Sequence, residues 1–226
     1  MDLNDKVIVV TGGLGTLGRA VISTAVEAGA TVVAVDCVSG EAPSGAECAP
    51  AVDLGDVAAT NAAFAAIAER HGRIDGLVNV AGGFRWEMVE QGSIDTWDFL
   101  YQINVRTAVN ASKASLPHIP ERGGRIVNIS AAGAVKAVGG LAAYAASKSG
   151  VSRLTEALAE ELKPKNITVN AVMPSIIDTG PNRSDMPDAD YSTWVSPQAL
   201  AGVITFLLSE QAEAITGALI PVTGRV

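Results

Sequence analysis

Short apolar runs alternate with longer stretches of helical period along most of the chain's 226 residues. Lys6–Thr11 reads KVIVVT, a β-branched run of the length of one buried strand. Similar runs at Thr31–Val35, Gly76–Val80, Arg125–Ser130, Ile167–Val172 and Ala218–Val222 predict further strands, and Ala51–Leu54 predicts the end of another. The intervening periodicity predicts helices over Leu17–Ala28, Ala58–Glu69, Trp97–Leu116, Ala142–Leu162 and Ala199–Leu208. Gly29 follows the first helix, while Pro117 and Pro164 stop the two longest. The strands are apolar on both faces, as a parallel sheet between two helical layers requires. The expected fold is therefore α/β: a single doubly wound domain with a seven-stranded parallel sheet and helices on both faces. Only Gly180–Ser196, rich in Pro, Asp and Ser, lacks a clear period, and a long loop of that kind is usually functional.

Composition narrows the function classes. A formal charge of −8 disfavours nucleic acid, whose phosphates need a basic face, and disfavours anionic membrane surfaces as well. No stretch is long and apolar enough to span a bilayer. Met1-Asp2-Leu3-Asn4-Asp5 is acidic and polar, unlike a secretory signal. Cys37 and Cys48, the only cysteines, do not make a disulfide framework. A cytoplasmic location is expected. His71 and His118 lie near no second metal-type ligand, so no metal site is expected and both read as solvent-facing helix-end residues.

The chemistry is concentrated elsewhere. Gly12, Gly13, Leu14, Gly15, Thr16, Leu17 and Gly18 sit between the first strand and the first helix. Glycines there allow a tight turn and let backbone approach a pyrophosphate, to which the helix N-terminus offers unpaired N–H groups. Asp36 ends the second strand, where a carboxylate accepts hydrogen bonds from the hydroxyls of an adenosine ribose and repels a 2′-phosphate. That pairing argues for NAD(H) as cofactor. Arg19, just inside the helix, is expected to pair with Asp36 rather than to serve a phosphate. Tyr144 and Lys148 stand four residues apart near the start of a predicted helix and so share a face. A cation beside a phenol favours the phenolate, so a tyrosine pKa below ~10 is expected, suited to proton transfer. Trp86 and Trp194, in loops after strand ends, are candidates for lining a substrate pocket or for packing.

Taken in order, Thr11–Gly18, Asp53, Val80-Ala81-Gly82, Asn104, Ser130, Tyr144/Lys148 and Pro174–Thr179 resemble the motifs of the short-chain dehydrogenase/reductase family along essentially the whole chain. The resemblance implies a Rossmann-type domain and an oxidoreductase moving hydride between nicotinamide and a carbonyl/alcohol or imine-like substrate. It implies that Tyr144 transfers the proton, that Lys148 binds the nicotinamide ribose and tunes Tyr144, and that Asn104 holds a relay water. It implies that Ser130 orients the substrate oxygen and that Asp53 with Leu54 contacts adenine. Val80, Ala81, Gly82 and Pro174 would line the cofactor site, and Ile177 and Thr179 would hold the carboxamide. The two long helices would form the face of a homodimer or homotetramer. The sequence departs from the pattern at Thr16, Val80 and Ser175, and the family's spacing from Tyr144 lands on Ala131, one residue past Ser130. The Gly12–Gly18 turn, Val80–Gly83 and above all Asp178–Trp194 resemble the dihydropteridine reductase branch, which uses the Tyr/Lys pair without that serine. A rival from another class is an NAD-sensing binding protein without catalysis, but its mark would be loss of Tyr144 or Lys148.

Overall fold

The computed structural model describes residues 1–226. Seven strands form one all-parallel sheet: β1 (Val7–Thr11), β2 (Thr31–Val35), β3 (Glu47–Cys48), β4 (Gly76–Asn79), β5 (Gly124–Ile129), β6 (Ile167–Pro174) and β7 (Leu219–Val222), in the order β3-β2-β1-β4-β5-β6-β7. Helices α1 (Thr16–Glu27), α2 (Val57–His71), α3 (Ile94–Leu100), α4 (Thr107–Ser115), α5 (Ala142–Leu162), α6 (Gly180–Asp185) and α7 (Pro197–Leu208) connect them.

Alternation along β1 shows why both faces must be covered. Ile8 and Val10 join a core with Val21 and Ile22 of α1 and Leu200 and Ile204 of α7. Val9 between them points the other way, into a core with Phe64 of α2, Ala111 of α4 and Leu162 of α5. Strand order reverses between β1 and β4, so the crevice at their carboxyl ends opens where helices leave to opposite faces.

Three expectations needed correction. The third strand is Glu47–Cys48, not Ala51–Leu54: only two residues pair, Glu47 and Cys48 beside Val33 and Ala34 of β2. Ala51–Leu54 is the connection to α2, and Val52 N–H donates to the Asp36 carbonyl at 2.8 Å. The helix expected over Trp97–Leu116 starts at Ile94, where Ser93 caps it, and passes through a π-helical turn at Tyr101–Arg106 before continuing as α4. The supposedly formless Gly180–Ser196 holds α6 and a short 3₁₀ turn at Tyr191–Thr193. No helix is long and apolar enough to cross a membrane.

Candidate active site

The glycine turn is fixed by contacts as well as by backbone angle. Gly12 has φ +61°, and a Cβ there would lie 2.8 Å from the Ala81 nitrogen. Gly18 packs so tightly on the Gly12 carbonyl that no side chain fits. Ala81 N–H donates to Thr11 Oγ1 at 3.2 Å, holding Val80-Ala81-Gly82 beside the turn. Helix α1 begins after Gly15 with no side-chain cap, so its first N–H groups face the crevice without intrahelical partners. Asp36, just beyond β2, accepts from Leu14 N–H at 3.0 Å and from Cys37 N–H at 2.8 Å. Its Oδ2, which accepts from Leu14 N–H alone, keeps lone-pair capacity for a ribose hydroxyl. Glycine turn, bare helix end and carboxylate together fit a dinucleotide. Arg19 does not pair with Asp36, contrary to expectation: its guanidinium donates to the Leu14 and Glu41 carbonyls, both at 3.0 Å. Asp53 is exposed and accepts from Gly55 N–H, while the Leu54 side chain is in the core and its carbonyl accepts from Asn110.

Tyr144 and Lys148 lie one turn apart at the start of α5. Lys148 Nζ is buried and donates to the Ile129 carbonyl at the end of β5, 2.8 Å away. A Cβ on Gly82 would lie 2.7 Å from Asn104 Oδ1 and 3.3 Å from Lys148 Nζ, so these three converge at one point. Asn104 sits in the π turn, a feature frequent at functional sites. Its Oδ1 accepts from Gly83 N–H at 2.9 Å, and its Nδ2 donates to the Gly83 carbonyl and to Ser147 Oγ. Ser147 Oγ in turn donates to the Tyr144 carbonyl at 2.7 Å. Ser147 thus links Asn104 to the first turn of α5. Its spacing, three residues after Tyr144, was the available signal for a role that the sequence reading missed.

Burial pushes the Tyr144 phenol up to about 12 and the Lys148 ammonium down to about 8. The tyrosine moves opposite to expectation. Its desolvation outweighs any help from Lys148, whose charge is directed at the Ile129 carbonyl. Ser130 is also displaced from its expected part. Its buried hydroxyl donates to the Lys148 carbonyl at 2.9 Å and lies 2.8 Å from Ser152 Oγ, beneath α5. Ala131 follows in extended conformation (φ −157°, ψ 150°), so no bulge turns Ser130 toward the crevice.

At the end of β6, Pro174 is buried and Ile177 pairs with Val195. The Ile177 carbonyl accepts from Asn182 Nδ2 at 2.8 Å, and Thr179 Oγ1 caps α6 by accepting from Asn182 N–H. Trp194 is buried against Tyr191 and packs, whereas Trp86 is exposed. His71 is not solvent-facing: its side chain is only 13% exposed, with Nε2 3.5 Å from Glu47.

Comparison with known proteins agrees with this arrangement. The family model described as short chain dehydrogenase matches residues 6–190. A 3-oxoacyl-(acyl-carrier-protein) reductase of Thermotoga maritima is 32% identical over 243 aligned positions, covering 99% of this chain and 98% of the relative. A meso-2,3-butanediol dehydrogenase of Serratia marcescens is 32% identical, covering 99% and 95%. The solved carveol dehydrogenase of Mycobacterium avium in complex with NAD superposes with a TM-score of 0.88 at 27% identity, covering 98% of this chain and 97% of that one. These names are those of carbonyl reductases and alcohol dehydrogenases, not of the dihydropteridine reductase branch.

Proposed function

Because this chain belongs to the short-chain dehydrogenase family, we propose that it is an NAD(H)-dependent oxidoreductase acting on a carbonyl/alcohol couple, with Tyr144 as its proton-transfer residue. The observation that carries the reading is the convergence of Lys148 Nζ and Asn104 Oδ1 at Gly82, one helical turn from Tyr144. When bound, NADH supplies the hydride. The glycine turn and the start of α1 would bind the pyrophosphate, and Asp36 would accept the adenosine ribose hydroxyl protons.

Tyr144 stays protonated well above neutral pH, so in the reducing direction it is loaded as an acid and gives its proton to the substrate oxygen. Lys148, charged below about pH 8, stabilises the phenolate left behind. Asn104, hydrogen-bonded to both the N–H and the carbonyl of Gly83, would hold the water through which the phenol regains its proton. Ser130 takes no part in proton transfer in this reading; it seats Lys148.

The test is Tyr144→Phe, followed by NADH consumption with a ketone panel and by calorimetric NADH binding. Loss of a general acid typically costs ~10²–10⁴-fold. Turnover should fall by that order while NADH affinity stays within about two-fold, since the ring still packs against Phe84. Wild-type turnover in the Phe variant ends the assignment. A wild-type chain that binds NADH and reduces nothing is the sensing protein instead.

A further inference from the structure

Two loops leaving the carboxyl ends of β4 and β5 carry exposed apolar side chains. Phe84, Trp86 and Met88 stand on the first, Val135 and Val138 on the second. The loops are joined. Glu87 N–H donates to the Gly140 carbonyl at 2.9 Å. The Trp86 indole lies so close to Gly140 (φ +79°) that any side chain there would overlap it. Met88 Sδ comes within 3.9 Å of where a Cβ on Gly139 would be. The second loop is fastened to α5 by Ser149 Oγ, which donates to the Ala134 carbonyl at 2.9 Å. Between Phe84 and Trp86, the Arg85 guanidinium stacks 3.9 Å over the Phe99 ring. Phe84 itself stands edge-on to Tyr144, with centroids 5.0 Å apart and planes at 75°.

The two rings are therefore held in place, Phe84 against Tyr144 and Trp86 against Gly140 four residues before that tyrosine, yet Phe84 is 54% and Trp86 62% exposed. Exposed aromatic faces on fixed backbone bind flat apolar groups. The polar side of the site is correspondingly thin. Ser130 Oγ is spent beneath α5, and the next residue toward Tyr144 in sequence, Ala131, has no hydroxyl. A substrate oxygen then has Tyr144 as its one donor from this pair of elements, and orientation must come from packing.

We propose that Phe84 and Trp86 set the specificity of this site, and that its substrate is a ketone with an aromatic ring on the carbonyl carbon, or the matching secondary alcohol. The inference rests on the oxidoreductase reading above. In the reducing direction the dihydronicotinamide C4–H bond breaks and a C–H bond forms at the carbonyl carbon. The C=O π pair becomes a lone pair on oxygen, and the Tyr144 O–H proton completes the hydroxyl, so NADH, a proton and the aryl ketone give NAD⁺ and the aryl carbinol.

The experiment compares phenyl methyl ketone with cyclohexyl methyl ketone, equal in carbon skeleton but not in flatness, by kcat/KM with NADH. A well-placed aromatic pair contributes about three- to ten-fold beyond area burial. With two rings, the wild type should prefer the phenyl ketone about ten-fold or more. Phe84→Leu and Trp86→Leu should each lower the phenyl-to-cyclohexyl ratio about three-fold or more, with NADH affinity by calorimetry showing that each variant is folded. Equal use of both ketones by the wild type, or a ratio that neither variant moves, overturns the proposal and leaves the oxidoreductase reading standing. Turnover of neither ketone while another ketone of the panel is reduced overturns the proposal alone; reduction of no carbonyl in the panel, with NADH bound, removes the oxidoreductase reading and the proposal with it. A fall in molecular mass on Trp86→Leu would assign the ring to a subunit contact and likewise overturn it.

Discussion

Asp36 reaches its place by local rules: β2 ends at Val35, and the next side chain turns back onto Leu14 N–H and Cys37 N–H. A 2′-phosphate brought there would face a fixed carboxylate. Like charges at ~4 Å cost about 1 kcal/mol in water and several-fold more at lower dielectric. NADH should therefore be preferred over NADPH by at least ~10-fold. Asp36→Ala should narrow that gap by improving use of NADPH, as read from kcat/KM for both cofactors. Equal use by the wild type shows that Asp36 does not discriminate. This position was legible because strand end and acidic residue are adjacent in sequence. Ser130 was harder, since its role depends on which side of an extended strand end it takes. Spacing from Tyr144 pointed one residue further, and the extended Ala131 shows why no bulge compensates. Ser130→Ala should cost about 0.5–1.5 kcal/mol in urea unfolding, the net worth of a lost buried hydrogen bond, since Ser152 Oγ still reaches the Lys148 carbonyl at 3.2 Å. It should lower kcat far less than Tyr144→Phe. An equal loss would put the serine in the chemistry.

At the scale of elements, long periodic segments were read well and short or irregular ones were not. Helix α5 has the boundaries that its pattern implies, Ala142–Leu162. β3 escaped because two paired residues carry no period, and its place follows from lying beside Val33 and Ala34 of β2. The π turn escaped because apolar spacing records a helix but not one extra residue in a turn. That turn closes α3, whose Ile94 and Trp97, followed by Tyr101, recur at one-face spacing and are all exposed. Large apolar side chains so grouped mark a contact surface. We expect a homodimer or homotetramer through the face bearing α3, α4 and α5. Ile94→Glu combined with Trp97→Glu should lower the mass in light scattering to that of a smaller assembly and reduce Tm. A wild-type chain that runs as a monomer at micromolar concentration contradicts this.

For the whole molecule, the doubly wound topology was legible because every parallel strand must be apolar on both faces, and the crevice follows from the strand order. What no pattern revealed was the electrostatic consequence of burying the proton-transfer pair. Lys148 holds its proton only to about pH 8 in the folded chain, against 10.5 for an ordinary lysine. Between those values the unfolded chain binds a proton that the folded chain does not, so stability rises with pH across the window. At about 1.4 kcal/mol per pH step, the whole limb is on the order of 3 kcal/mol. Tyr144 acts with the opposite sign higher up: its phenol is held up to about 12, the unfolded chain ionises first, and stability falls as pH rises above about 10. Lys148→Met keeps an unbranched side chain one atom shorter and removes its charge. It should erase the rising limb between about pH 8 and 10, retain the fall above it, and leave the variant more stable than wild type at pH 7 although inactive. The net gain will be smaller than the full limb because the Ile129 carbonyl loses its donor. Urea unfolding of both chains from pH 7 to 10.5 decides the matter. A wild-type stability flat through this window, or a Met variant that keeps the rise, would show that Lys148 is not the group whose burial the folded state opposes.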